Sequence, residues 1–265
     1  MKKFLVIGSP IDHSLSPRLH NYWLKKYNIG GIYEKKLLEK NDLEDIIEEI
    51  QNDKIAGINV TVPFKKLILP FVDRLTALAD EAQSVNTIYK INNKIIGDNT
   101  DIGGFEKALK FINFDTKNKI VFILGAGGVA LSIILALKRL GVKKIFLSNR
   151  TEKEAKILKK KFSKLEIIEW GKSPKFDLII NATSLGLNKN DVIKLDYKEL
   201  GTGKLFYDVI YNPVKTNFLK SAEKTENITE NGKMMFIYQA QLAFNIWTNI
   251  MPEIDSDVIK LLNDD

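Results

Sequence analysis

The chain has 265 residues, of which 45% are hydrophobic and 28% charged. That is room for a sizeable core in one or two domains and an ordinary balance for a globular protein. Cysteine is absent and only His13 and His20 represent histidine, so disulfides, thiolate metal sites, cysteine nucleophiles and histidine-rich metal centres are excluded. The net charge of +7 favours anionic partners, but the lysines are scattered. The densest run, Lys159-Lys160-Lys161, suits the last turn of a solvated helix. No nucleic-acid motif accompanies the charge, so no nucleic-acid partner is expected.

The longest useful apolar stretch, 129–137, is followed by Lys138 and Arg139 and is far shorter than the ~20 residues of a membrane span. Residues 4–7 behind Lys2 and Lys3 are too short for a signal-peptide core. A cytoplasmic location with no membrane partner is the default expectation.

In chain order, short apolar strands alternate with amphipathic helices. Residues 4–8 read as a strand and 17–28 as a helix, with Ser16 as N-cap and Pro17 at its first position. A strand over 32–37 precedes a helix over 42–51, where Asn41 and Glu44 are spaced as a capping box. Residues 56–61 form a third strand, and 85–96 a hairpin turning at Asn92-Asn93. Beyond residue 102 the series continues as strand 119–124, helix 129–140 ended by Gly141, strand 144–148, helix 152–162, strands 177–181 and 204–209, and a long helix over 233–249. Such alternation predicts an α/β fold with mainly parallel sheets in two domains, the second Rossmann-like. The expected division is a domain of residues 1–101, completed by the C-terminal helix 232–265, and a domain of residues 102–231.

The strand ending at Leu124 runs into Gly125-Ala126-Gly127-Gly128-Val129-Ala130, and a helix follows. This is the strand–turn–helix setting of a dinucleotide site, where small residues admit the pyrophosphate to free helix N-terminal amides. The next strand ends in Asn149-Arg150-Thr151 rather than in the carboxylate that binds ribose hydroxyls in NAD sites. Arg150 would attract a 2′-phosphate, which predicts NADP, unless it is a solvated loop residue. Thr151 and Glu154 are spaced as a capping box. Glu154 also brings negative charge near the proposed phosphate, with Lys153 beside it as an offset.

Several residues in the first half invite a ligand. Ser14 and Ser16, near a helix N-terminus, suit a carboxylate, although Ser16 also suits capping. Asn59-Val60-Thr61-Val62-Pro63-Phe64-Lys65 places Lys65 in the first turn of a helix starting at Pro63. A lysine there opposes the helix dipole. It is either a proton-transfer group or a surface residue. Asn86 lies in a strand-like stretch where Asn is disfavoured and would find partners in a polyhydroxylated ligand. Asp101 ends Gly97-Asp98-Asn99-Thr100-Asp101, as an N-cap or a functional carboxylate. Gln239 falls on an otherwise largely apolar helix.

Together these segments resemble the substrate and NADP motifs of the shikimate and quinate dehydrogenase family. The resemblance rests on Ser14-Leu15-Ser16-Pro17, residues 59–65, Asn86-Thr87, Asn99-Thr100-Asp101, residues 125–130, Asn149-Arg150-Thr151, and Asn181-Ala182-Thr183-Ser184-Leu185-Gly186. Asp208-Val209-Ile210-Tyr211-Asn212-Pro213 and Gly232-Lys233-Met234 with Gln239 complete it. It spans nearly the whole chain in order. Leu187, where the family often has Met, and Glu154, where it often has Arg, are departures. The resemblance implies a substrate domain, an NADP domain and an active site in the cleft. It implies reversible NADPH-dependent reduction of 3-dehydroshikimate, a step of chorismate and aromatic amino acid biosynthesis, by a monomer or homodimer. By match, Ser14, Ser16, Thr61, Asn86, Tyr211 and Gln239 contact shikimate, with Asn59 nearby. Lys65 and Asp101 form the catalytic pair. Gly125, Ala126, Gly127, Gly128, Val129, Asn149, Arg150, Thr151 and Thr183 hold NADP, with Val209 and Gly232 on the nicotinamide side. A dual shikimate/quinate dehydrogenase, a non-catalytic NADP-binding module and a basic nucleic-acid binder are the competing readings.

Overall fold

The structure is a computed structural model in which residues 1–162 and 164–262 are described. In the first half the elements are β1 (Lys2–Gly8), α1 (Ser16–Lys26), β2 (Gly31–Leu37), α2 (Leu43–Gln51), β3 (Gly57–Val60), α3 (Phe64–Leu67), β4 (Arg74–Leu75), α4 (Ala77–Ala82), β5 (Thr87–Ile91), β6 (Lys94–Asp98) and α5 (Thr100–Phe111). Then come β7 (Ile120–Leu124), α6 (Gly128–Arg139), β8 (Lys144–Ser148), α7 (Glu152–Lys161), β9 (Leu165–Ile167), β10 (Leu178–Asn181), β11 (Leu205–Asp208), α8 (Asn217–Glu223), β12 (Ile228–Glu230), α9 (Lys233–Thr248) and α10 (Ser256–Leu261).

The chain divides into two compact units, Met1–Gly104 with Ile237–Asp265, and Phe105–Phe236. The changes of unit therefore fall inside α5 and α9 rather than in loops.

The first unit holds a six-stranded sheet of order β2-β1-β3-β5-β6-β4. The pairs β1–β2, β1–β3 and β4–β6 are parallel, while β5 runs antiparallel to β3 and β6. The hairpin turns at Asn92 and Asn93, both at positive φ, as the tight asparagine turn demands. One face of the sheet packs Leu5, Ile7, Ile58, Val60 and Ile88 against Leu43, Ile46, Ile47 and Ile50 of α2. The i, i+3, i+4, i+7 spacing of those four makes the apolar stripe of that helix. An aromatic cluster forms a second core. His20 stacks on Tyr33 at 4.3 Å, Trp23 meets Phe244, and Trp247 lies on Phe4. The Trp247 indole donates to the carbonyl of Ile88 at 3.2 Å. Its ring fills the place a side chain at Gly57 would occupy, within 2.3 Å of a Cβ there.

The second unit holds an all-parallel six-stranded sheet of order β12-β11-β10-β7-β8-β9. Every residue of α6 from Ala130 to Leu137 is buried, so the apolar stretch at 129–137 is a core helix. Its C-terminus closes on Gly141 at φ +75. No helix among the described residues is long and apolar enough to cross a membrane.

Three capping expectations are corrected. Helix α1 begins at Ser16 with Leu15 as N-cap; Ser14 Oγ instead accepts the Ser16 N–H at 3.3 Å. The Asn41–Glu44 box does not form. The Asp42 carboxylate accepts the Glu39 N–H at 2.7 Å across a 3-10 turn, Lys40–Asp42, that precedes α2. Thr151 is the N-cap of α7 but its side chain makes no cap bond; the Glu154 N–H donates to the Thr151 backbone carbonyl at 3.1 Å, and the Glu154 carboxylate accepts from Asn149.

Candidate functional site

In the first unit the loops after parallel strands β1 and β3 leave the same edge of the sheet, the carboxyl edge where open α/β folds carry their ligands. Ser9 N–H donates to the Val62 carbonyl at 3.0 Å and Thr61 N–H to the Ile7 carbonyl at 2.9 Å, tying the two loops together. The Ser14–Ser16 segment follows the first loop, and Thr61 to Lys65 the second. Gly8 is required here, because a Cβ would sit 2.5 Å from the Thr61 methyl.

Helix α3 is a single turn, so its dipole contributes little to Lys65. An ion pair defines that lysine instead. Lys65 Nζ lies 2.5 Å from Asp101 Oδ2, with side-chain exposures of 14% and 7%. The helix at Asp101 begins at Thr100, and Asn99 accepts the Ile102 N–H at 3.3 Å. Asp101 is therefore released from capping and sits in the first turn, where a carboxylate suits the helix dipole. Its other oxygen accepts from Asn86 Nδ2 at 2.9 Å.

Asn86 is 2% exposed and ties the group together. Its amide also donates to Thr100 Oγ1 at 2.9 Å and to Gln239 Oε1 at 3.4 Å. Its carbonyl oxygen accepts the Thr100 N–H at 2.7 Å. Behind it, Asn59 donates to the Asn86 backbone carbonyl and to Thr87 Oγ1, and accepts from the Tyr33 hydroxyl at 2.7 Å. Lys65, Asp101, Asn86, Asn59 and Gln239, drawn from four segments of the chain, thus form one network. Tyr33, Thr87 and Thr100 belong to it although sequence reasoning gave them no role. Tyr33 has no local signal for this, since its partner lies 26 residues away.

Of the ammonium's three donors, Lys65 spends one on Asp101, its sole partner among the described residues. The other two are available to a ligand oxygen. Tyr211 lies in the second unit and stacks on Phe236 with centroids 4.5 Å apart.

In the second unit the expected nucleotide residues all follow carboxyl ends of strands: Gly125 to Val129 after β7, Asn149 to Thr151 after β8, Thr183 after β10, Val209 after β11 and Gly232 after β12. Gly125 holds φ +106, and a Cβ on it would meet the Ala182 carbonyl oxygen at 2.8 Å. At Gly127, the N-cap of α6, a Cβ would meet nothing within 4 Å, so that backbone faces open space. Gly232 is required by the Val209 carbonyl oxygen, 2.0 Å from where its Cβ would be.

Side chains brace these turns. Asn149 Oδ1 accepts the Ala126 N–H at 3.0 Å, while its amide donates to the Thr151 carbonyl and to Glu154 Oε2 at 2.9 Å. Asn181 accepts from Thr183 Oγ1 at 2.7 Å and donates to Asp208 at 3.0 Å. Asp208 also takes the Ile210 N–H and, at 2.6 Å, the Thr216 hydroxyl. Burial pushes the Asp208 carboxyl up to about 6 despite these three donors. Arg150 is exposed and has no partner among the described residues. An open glycine turn at a helix N-terminus beside an uncommitted guanidinium fits a dinucleotide carrying an extra phosphate.

The chain matches known proteins along nearly its whole length. The family model described as shikimate dehydrogenase substrate binding domain matches residues 6–88, and that described as shikimate / quinate 5-dehydrogenase matches residues 106–208. The chain is 60% identical to the NADP(+) shikimate dehydrogenase of Pelagibacter ubique over 99% of both chains. The crystal structure of shikimate dehydrogenase from Aquifex aeolicus superimposes with a TM-score of 0.92 at 34% identity, covering 100% of this chain and 98% of that one. Shikimate 5-dehydrogenase from Thermus thermophilus, solved with NADP(H) and shikimate, gives a TM-score of 0.91 at 30% identity over 99% and 98% of the two chains. With both halves of the chain matched in order and near-complete coverage at such identity, this protein belongs to the shikimate dehydrogenase family.

Proposed function

We propose that this chain catalyses the reversible NADPH-dependent reduction of 3-dehydroshikimate to shikimate. The observation that carries the reading is the enclosed Lys65–Asp101 pair, held at 2.5 Å on the Asn86–Gln239 network in a chain of this family. When bound, the dinucleotide supplies the hydride that adds to the ketone carbon. Lys65 donates a proton from Nζ to the oxygen of that carbonyl, and receives it back in the oxidative direction. Asp101 fixes the ammonium and retains a lone pair on each oxygen for a ring hydroxyl.

Asn86 and Gln239 offer amides to the other hydroxyls, and Thr61 and Asn59 border the same strand ends. Ser14 and Ser16 take the ring carboxylate, and Tyr211 of the second unit is a further substrate contact. Gly125 to Val129 and Thr183 admit the pyrophosphate, Asn149 to Thr151 the adenosine end, and Val209 and Gly232 the nicotinamide side. Arg150 supplies charge for the 2′-phosphate.

The description of the second matched family model includes quinate, which makes dual substrate use the second reading. Steady-state kinetics with shikimate and quinate, each with NADP+ and NAD+, separate the two. The first reading requires the highest kcat/KM for shikimate with NADP+. Comparable values for quinate support the second, and no turnover of either acid overturns both.

A further inference from the structure

Tyr33 is held more tightly than its place on an edge strand requires. Strand β2 is an edge of the first sheet, and Asn21 of α1 completes that edge at one residue. Its side chain accepts the Tyr33 N–H and donates to the Tyr33 carbonyl, both at 2.8 Å. The Tyr33 ring stacks on His20 of the same helix, with centroids 4.3 Å apart and an interplanar angle of 2°. Backbone and ring are both fixed by α1, and the hydroxyl they aim donates to Asn59 Oδ1 at 2.7 Å. It is the one donor to that oxygen among the described residues.

From there the hydrogen bonds run in one direction. With its oxygen engaged, the Asn59 carboxamide turns its amide to the Asn86 carbonyl and to Thr87 Oγ1, at 3.1 and 3.2 Å. Thr87 accepts that bond and sends its own proton to Asn86 Oδ1 at 3.1 Å. Asn86 Oδ1, which also takes the Thr100 N–H, is kept as the acceptor, so the Asn86 amide faces Asp101 Oδ1 at 2.9 Å. Every member from Tyr33 to Asp101 is buried. A reversed amide there would set oxygen against oxygen and leave a donor unmet.

We propose that Tyr33 is a positioning residue for the reaction: its hydroxyl, acting through Asn59, Thr87 and Asn86, holds the Asp101 carboxylate in the orientation that fixes Lys65. The proposal rests on the function proposed above. Tyr33→Phe keeps the ring and its stacking and removes the one donor. It should lower kcat for shikimate oxidation about 5- to 30-fold, the scale of one buried polar group left unsatisfied, with calorimetric affinity for NADP+ unchanged within about twofold. Thr87→Val breaks the same chain midway. The double variant Tyr33→Phe with Thr87→Val should therefore lose about as much kcat as the worse single one, because members of one network do not act independently. Trp23→Phe is the control for packing, since Trp23 lies in the same aromatic core and its indole N–H has no bond to the chain. It should lower the urea midpoint and leave kcat unchanged. Unchanged kcat in Tyr33→Phe, losses that multiply in the double variant, or a kcat in Trp23→Phe that falls as far as in Tyr33→Phe overturns the proposal. Wild-type turnover of shikimate separates these outcomes from failure of the functional reading; its absence removes both.

Discussion

The two units build the carboxyl edges of their sheets by different means. The first uses side chains: Lys65, Asp101, Asn86, Asn59 and Gln239 come from distant segments and meet through amide, carboxylate and ammonium groups. The second uses backbone: Gly125, Gly127 and Gly232 leave space or accept close approach, and side chains such as Asn149, Asn181 and Asp208 mainly hold turns in place. Chemistry that changes charge needs a fixed ion pair shielded from water. Phosphates need amides and room. Substitutions should therefore act on turnover in the first unit and on dinucleotide affinity and local stability in the second.

The largest effect is expected at Lys65. Lys65→Ala should lower kcat by about 10²- to 10⁴-fold and change shikimate affinity less, measured by steady-state kinetics beside calorimetry. A variant that loses affinity and keeps kcat would make the lysine a binding group and erase the contrast between units. Next is Gly232→Ala. Its Cβ would sit 2.0 Å from the Val209 carbonyl oxygen, so the backbone must shift. A loss of roughly 1–3 kcal/mol in urea unfolding is expected, with a raised KM for the dinucleotide and unchanged shikimate binding.

The third concerns His20 in the aromatic core of the first unit. Both its ring nitrogens are buried with no hydrogen-bond partner among the described residues, and burial lowers its pKa to about 3. A base whose folded pKa lies below its unfolded value of 6.5 contributes fully above that value. The contribution is lost as pH falls from 6.5 toward 3, by about 2 kcal/mol near pH 5. Stability curves of wild type and His20→Phe should therefore converge or cross as pH falls, and parallel curves would show that His20 is not neutral in the fold. The smallest effect is at Arg150. Arg150→Ala should raise KM for NADP+ about tenfold, some 1.4 kcal/mol, and leave KM for NAD+ unchanged.

The same difference governs what could be read from the sequence. The second unit's turns are local motifs, so Gly125 to Ala130 and Asn149 to Thr151 announce themselves by spacing, and each follows a strand end as expected. The network of the first unit spans up to 153 residues between partners, as for Asn86 and Gln239. Spacing offers no route to Tyr33 or Thr100, whose partners become neighbours only in the folded chain. Short elements also escaped. The strand Arg74–Leu75 and the three-residue strands at β9 and β12 are too brief to show alternation. Helices α4, α8 and α10 were not anticipated either, although Thr76, Thr216 and Asp255 cap them. The capping spacings misled at Ser16 and Asn41, where the helices take Leu15 and Asp42 as N-caps, and at Thr151, whose side chain makes no cap bond.

The most direct measurement is the formation of NADPH by the purified chain when shikimate is added to NADP+, followed at the reduced-nicotinamide absorbance. The expected result is a rate that saturates with shikimate and collapses in the Lys65→Ala variant. Absence of NADPH formation from the wild-type chain, or an equal rate in that variant, would contradict the assignment of the Lys65–Asp101 pair as the chemical centre.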